Sequence, residues 1–130
     1  MRCDADQVVR RCLIVDDNER FLAVARASLE REGLEVLGTA KTIAEALTKV
    51  NGLRPDIILV DIALGQESGF ELARQIVDSH PDLGACIVLI STRREEDFAD
   101  LITASPAVGF LSKVRLSARA VRELVAGGCG

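Results

Sequence analysis

Asp16, Asp17, Asp61, Ser91 and Lys113 each close an apolar run: Cys12-Leu13-Ile14-Val15 leads into the acid pair, Ile57-Ile58-Leu59-Val60 into the third acid, Ile87-Val88-Leu89-Ile90 into the hydroxyl, and Gly109-Phe110-Leu111-Ser112 into the amine. Short apolar runs bounded by turn signals read as strands buried on both faces. In a parallel α/β sheet the ligand crevice opens at the carboxyl ends of the strands, so these groups are expected to meet at one rim. Three carboxylates gathered there repel one another, which raises at least one pKa unless a cation is supplied. An all-oxygen donor set suits a hard divalent ion such as Mg²⁺. Capping of the first helix accounts for one acid of the Asp16-Asp17 pair, but not for both together with Asp61. Lys113, projected toward the acids, is a point charge suited to phosphate, and the Ser91 hydroxyl is either a cap for the fourth helix or a donor for an anionic oxygen.

The elements that must position these groups alternate along the chain. The first strand is expected over 10–16. A helix follows, capped by Asp17 or Asn18 and stopped at Gly33. An amphipathic edge strand over 34–40 precedes a helix opened by Thr42-Ile43-Ala44-Glu45 and ended by Asn51-Gly52. Pro55 introduces the third strand; a loop over 62–67 leads to Ser68-Gly69-Phe70-Glu71 and a third helix that reaches Ser79, before Pro81. A fourth strand over 85–90, a helix over 94–104, a fifth strand over 108–111 and a helix over 117–126 complete the pattern. Strands alternating with helices at this spacing predict a parallel sheet with right-handed crossovers and helices on both faces.

The 130 residues are 48% hydrophobic and 28% charged, ordinary for one globular domain. A formal net charge of -4 gives no reason to expect direct nucleic-acid binding. No apolar run approaches the roughly 20 residues of a membrane span, and the polar start lacks the apolar segment of a signal peptide, so a cytoplasmic location is expected. The four cysteines, Cys3, Cys12, Cys86 and Cys129, lack metal-ligand spacing and are expected to be reduced. His80, before Pro81, reads as a surface-turn residue.

Taken in order, Leu13-Ile14-Val15-Asp16-Asp17-Asn18, Pro55-Asp56-Ile57-Ile58-Leu59-Val60-Asp61, Gly69-Phe70-Glu71-Leu72, Ile87-Val88-Leu89-Ile90-Ser91 and Gly109-Phe110-Leu111-Ser112-Lys113 give the chain a clear resemblance to the response-regulator receiver domain of two-component signalling. The resemblance implies a flavodoxin-like doubly wound (βα)5 fold with strand order 2-1-3-4-5, a receiver over 10–126, a flexible leader over 1–9 and a flexible tail over 127–130. It implies Asp61 as phosphoacceptor and Asp17, Asp16, Asp61 and the Ala63 carbonyl as holders of Mg²⁺. Ser91 and Lys113 would bind the phosphoryl oxygens, Ser91 and Phe110 would form the switch, and Ala63 and Arg93 would flank the site.

The implied partners are a sensor histidine kinase or phosphotransfer protein and a downstream target or output domain met through the fourth helix, fifth strand and fifth helix. The expected role is a switch that turns over no external substrate and acts without an output domain in this chain. The alternative is the N-terminal receiver of a DNA-binding transcriptional regulator. Three positions depart from the commonest family sequence: Gly65 and Ser112 stand where proline is usual, and Ser68 where an acid is frequent. An aspartyl phosphatase would carry an acid two residues after Asp61, where Ala63 stands. A nucleotide binder would carry a glycine-rich loop in place of Asp16-Asp17-Asn18.

Overall fold

A computed structural model describes residues 10–128. Its main sheet has five parallel strands, β1 (Arg11–Val15), β2 (Glu35–Ala40), β3 (Ile57–Asp61), β6 (Cys86–Ser91) and β7 (Gly109–Ser112), in the order β2-β1-β3-β6-β7. Counted within this sheet alone, the order is the expected 2-1-3-4-5 of a flavodoxin-like fold. The helices are α1 (Glu19–Arg31), α2 (Ile43–Leu53), α3 (Gly69–Ser79), α4 (Ala99–Ala104) and α5 (Ala118–Gly128).

Side-chain alternation along the central strands explains their unbroken apolar sequence. Cys12, Ile14, Ile57, Leu59, Val88 and Ile90 pack with α1 and α5 on one face. Leu13, Val15, Ile58, Val60, Ile87 and Leu89 pack with α2 and α3 on the other. Both faces are covered, so no position in these strands favours a polar residue until the chain leaves the sheet.

Four local expectations are corrected. Asn51-Gly52 does not end α2, which continues to Leu53 and stops where Arg54 takes a left-handed conformation (φ 49). The segment 62–67 is no plain loop: Ala63–Leu64 (β4) pairs antiparallel with Glu67–Ser68 (β5) around a turn in which Gly65 has φ 64. The helix expected over 94–104 is a 3₁₀ turn, Glu95–Phe98, followed by the short α4. Phe98 breaks it with φ -129 and ψ 15 while its ring meets that of Phe70 at 6.2 Å. The last helix runs to Gly128, past the expected start of a tail at 127. The expected leader over 1–9 and the tail residues 129–130 lie outside the described residues.

Of the cysteines, Cys12 is a free, fully buried thiol whose pKa burial pushes up to about 12, which leaves it unreactive. Cys86 departs from the expectation of reduced cysteines, being disulfide-bonded. It opens β6 at the amino rim of the sheet. Among the described residues no helix is long and apolar enough to cross a membrane.

β2 is an open edge, and unpaired strand edges invite pairing with another chain. Three features blunt it. The β1 register jumps from Cys12↔Val36 to Leu13↔Gly38, leaving Leu37 as a bulge. The Arg26 guanidinium donates to the Val36 carbonyl and the Lys49 ammonium to the Thr39 carbonyl. Replacing both by serine should free these carbonyls and shift the chain toward larger species in sedimentation velocity at matched concentration. An unchanged distribution would show that the bulge suffices.

Gly69, at the first position of α3, packs directly on the end of β3. Its amide donates to the Ile62 carbonyl at 2.9 Å, and a Cβ there would stand 2.2 Å from the Asp61 carbonyl oxygen. That atom is backbone and cannot swing aside. Gly69→Ala should therefore cost about 1–3 kcal/mol of unfolding free energy in chemical denaturation, the range for overpacking a tight site.

Candidate functional site

Three consecutive residues at the end of β1 divide three tasks. Asp16 Oδ1 accepts the Asn18 amide at 2.8 Å, closing the turn. Asn18, and not Asp17, is the helix cap: its Oδ1 accepts the Phe21 amide at 3.0 Å. Asp17 is left exposed, without a hydrogen bond or ion pair among the described residues. Neither acid of the pair is spent on capping.

Asp61 closes β3, where the Ile62 amide still bonds to the Ile90 carbonyl of β6 at 3.1 Å and fixes the strand end. Its Oδ1 accepts the Ala63 amide at 3.0 Å. The β4–β5 hairpin that carries Ala63 is tied to α2 through Glu67, whose carboxylate accepts the Ile43 amide at 2.9 Å. Lys113 follows β7 and starts a 3₁₀ turn, Lys113–Arg115. Its Nζ lies 2.9 Å from Asp61 Oδ2, donating a hydrogen bond, and 2.6 Å from Asp16 Oδ2. The contact with Asp16 is an ion pair without hydrogen-bond alignment, and Asp16 Oδ2 is buried with no hydrogen bond of its own. The side chains are 12% exposed for Lys113, 0% for Asp16 and 8% for Asp61, so water screens these charges weakly.

Burial raises the Asp16 pKa, as does the charge of Asp61; the Lys113 ammonium and the Asn18 amide pull it the other way without cancelling the rise. Burial lowers the Lys113 pKa, but its contacts with Asp16 and Asp61 outweigh that, and the net shift is upward from 10.5.

One carboxylate oxygen from each of Asp16, Asp17 and Asp61 falls within 4.8 Å of the others. Three acids against one ammonium leave excess negative charge. A buried carboxylate oxygen without a hydrogen bond and an unpaired neighbouring acid are the donors a hard divalent ion would take. The residues present therefore fit such an ion.

The remaining sequence-derived residues are distributed around this cluster. Ser91 is buried one residue past the β3–β6 pairing at Asp61, and its Oγ accepts the Arg93 amide at 3.0 Å. Phe110 is buried in the core face shared by Leu89 and Val60. The Arg93 side chain is turned outward, with its guanidinium 5.5 Å from the centre of the Phe98 ring and 3.9 Å from Asp97. The peptide before Lys113 is trans, as are all described peptides. Sequence reasoning missed the Glu67 tie, whose only signal is an acid following Gly65-Gln66, and the contact of Lys113 with Phe21, for which spacing gives no signal.

The raised Lys113 pKa sets the direction of an alkaline transition. Its contribution to stability is complete below 10.5 and is lost as pH rises through the higher native value. Lys113→Met should flatten the decline of unfolding free energy above pH 10.5 relative to the unsubstituted chain. Parallel declines in the two would contradict the pairing.

A sequence profile of the response regulator receiver domain matches residues 12–125, from β1 into α5. The chain is 35% identical over 125 residues to the DNA-binding transcriptional activator DevR/DosR of Mycobacterium tuberculosis, covering 90% of this chain and 55% of that protein. It is 31% identical over 104 residues to the response regulator GacA of Pseudomonas viridiflava, covering 79% and 48%. It thus spans about half the length of these relatives. A response regulator from Burkholderia pseudomallei, solved with a phosphorylated aspartic acid, a calcium ion and citrate, superimposes with a TM-score of 0.74 at 26% identity, covering 93% of this chain and 66% of that one. Since the matched span runs from β1 into α5 and contains all the acids of the rim, the chain belongs to the response regulator receiver domain family.

Proposed function

We propose that residues 10–126 form a receiver in which Asp61 accepts a phosphoryl group from a phosphohistidine of a sensor histidine kinase or phosphotransfer protein. The observation that carries this reading is the environment of Asp61: a carboxylate at a fixed strand end, 2.9 Å from a buried ammonium and beside an acid with no partner of its own. A carboxylate oxygen attacks phosphorus as the P–N bond breaks, and the imidazole departs with the electron pair. Little covalent chemistry is asked of the protein; positioning and neutralisation of the equatorial oxygens do most of it.

Asp17, Asp16, Asp61 and the Ala63 carbonyl are assigned to hold Mg²⁺, which when bound neutralises charge on the transferring group. Lys113 is assigned to a phosphoryl oxygen. Ser91 is assigned to another: its Oγ accepts the Arg93 amide, which leaves the hydroxyl hydrogen available to donate. Phe110 is the assigned partner of Ser91 in the switch, already buried in the core face that contains Leu89 and Val60. Ala63 and Arg93 flank the site, Ala63 without a side chain able to orient a hydrolytic water.

Phosphorylation is proposed to change binding of a downstream partner at the face of α4, β7 and α5. Exposed Leu101 and nearly fully exposed Val114 support that face. The module turns over no external substrate, and its net charge of -4 offers DNA no attraction. A cytoplasmic location agrees with a kinase partner. The second reading, a receiver working within a longer DNA-binding regulator rather than alone, is favoured by the match to only about half of DevR/DosR and GacA.

Incubation with acetyl phosphate or phosphoramidate and Mg²⁺ should add one phosphoryl group by intact mass, and Asp61→Asn should take none. Label persisting in that variant would refute the assignment. Mg²⁺ alone should stabilise the fold, by about 2.7 kcal/mol at 100 times its dissociation constant. A melting temperature indifferent to millimolar Mg²⁺ would overturn the metal assignment.

A further inference from the structure

Lys113 reaches the acids across the face of an aromatic ring. Its Nζ stands 4.4 Å from the centroid of Phe21, inside the roughly 6 Å over which a ring quadrupole attracts a cation. Phe21 lies in the first turn of α1, and its amide is held at 3.0 Å by Asn18 Oδ1, the cap that leaves Asp17 unpaired. The ring is only partly buried, at the margin of the core face containing Ile14 and Leu22. Two carboxylates hold the ammonium and the ring shields it, which is how a lysine with 12% of its side chain exposed stays shielded beside an open rim.

We infer that Phe21 is a positioning residue for phosphoryl transfer, its π face holding the Lys113 ammonium as that group passes from Asp61 to a phosphoryl oxygen. The inference rests on the reading of Asp61 as phosphoacceptor. A hydrogen bond to Asp61 Oδ2 is directional and must break when phosphate arrives. Attraction to a ring face is broad, so the ammonium can shift sideways while keeping the contact. The ring also keeps water from competing for the ammonium while one carboxylate contact is exchanged.

The test is the initial rate of Asp61 phosphorylation by phosphoramidate with Mg²⁺, followed by intact mass in the full chain. Phe21→Leu keeps an apolar side chain without a π face and should slow the reaction by about 2- to 30-fold, the range that the strength of such contacts sets. Phe21→Tyr should retain the unsubstituted rate. Mono-, di- and trifluorophenylalanine at position 21 preserve the shape while draining the quadrupole, and should slow the reaction stepwise with each fluorine. A packing role alone predicts no such gradient. A Leu variant at full rate, a Tyr variant as slow as Leu, or a fluorine series without gradient overturns the inference while the Asp61 assignment stands. Failure of the unsubstituted chain to take any label overturns both.

Discussion

The rim of the sheet depends on one shared cation. Asp16 and Asp61 end neighbouring strands with their carboxylates almost wholly out of water, and Lys113, arriving from the far edge strand, is the one cation paired with them among the described residues. Two buried like charges at this separation are costly, and the amide contacts each receives do not remove that cost. The ammonium offsets part of it, and its two contacts tie the ends of β1, β3 and β7 to one another. Core packing sets the positions of these strands; the shared ammonium sets the electrostatic state of what they carry.

That state is also what makes the rim responsive. A residue that neutralises two acids at once is sensitive to any new anion nearby, because moving toward it means leaving one carboxylate less compensated. Under the proposed function, phosphorylation of Asp61 delivers such an anion, and the ammonium must redistribute among its partners. Phe21 bounds one side of the space in which it can do so, and Ser91 ends the strand between β3 and β7. The change at the site is small in distance and large in charge, the kind of event that biases a packed, two-state element.

Much of this was legible in the sequence, for a definite reason. When both faces of a strand are buried, the first polar residue after the apolar run marks the point where the chain leaves the sheet. In a parallel sheet all such points lie at one end. Asp16, Asp61, Ser91 and Lys113 were therefore placed together by pattern alone, and the family resemblance assigned their roles. Pattern failed where local tendencies were overruled by contacts from elsewhere. Two-residue strands such as Ala63–Leu64 and Glu67–Ser68 are too short to show alternation. The acidic stretch Glu95-Glu96-Asp97 reads as the start of a helix, but Phe98 turns to meet Phe70 and interrupts it. Gly52, a helix breaker by propensity, is carried inside α2 at a cost of only about 1 kcal/mol relative to alanine. The Phe21–Lys113 contact joins residues far apart in the chain, and a ring against an ammonium leaves no periodicity to detect.

The triplet Asp16-Asp17-Asn18 shows how finely charge is apportioned here. A helix cap requires a side-chain oxygen at the position just before the first turn, and aspartate would serve there about as well as asparagine. Aspartate at that position would, however, add another full negative charge next to three acids, of which two already share a single ammonium. Asparagine supplies the same acceptor to the Phe21 amide without the charge. Because the cap is neutral and comes from the third residue, the middle one is released from structural duty and the first is free to face Lys113. A cap taken instead from Asp17 would turn its carboxylate toward the helix amides and away from the rim. The order of the three residues, and not only their composition, is thus what leaves an uncommitted carboxylate where a divalent cation would be held.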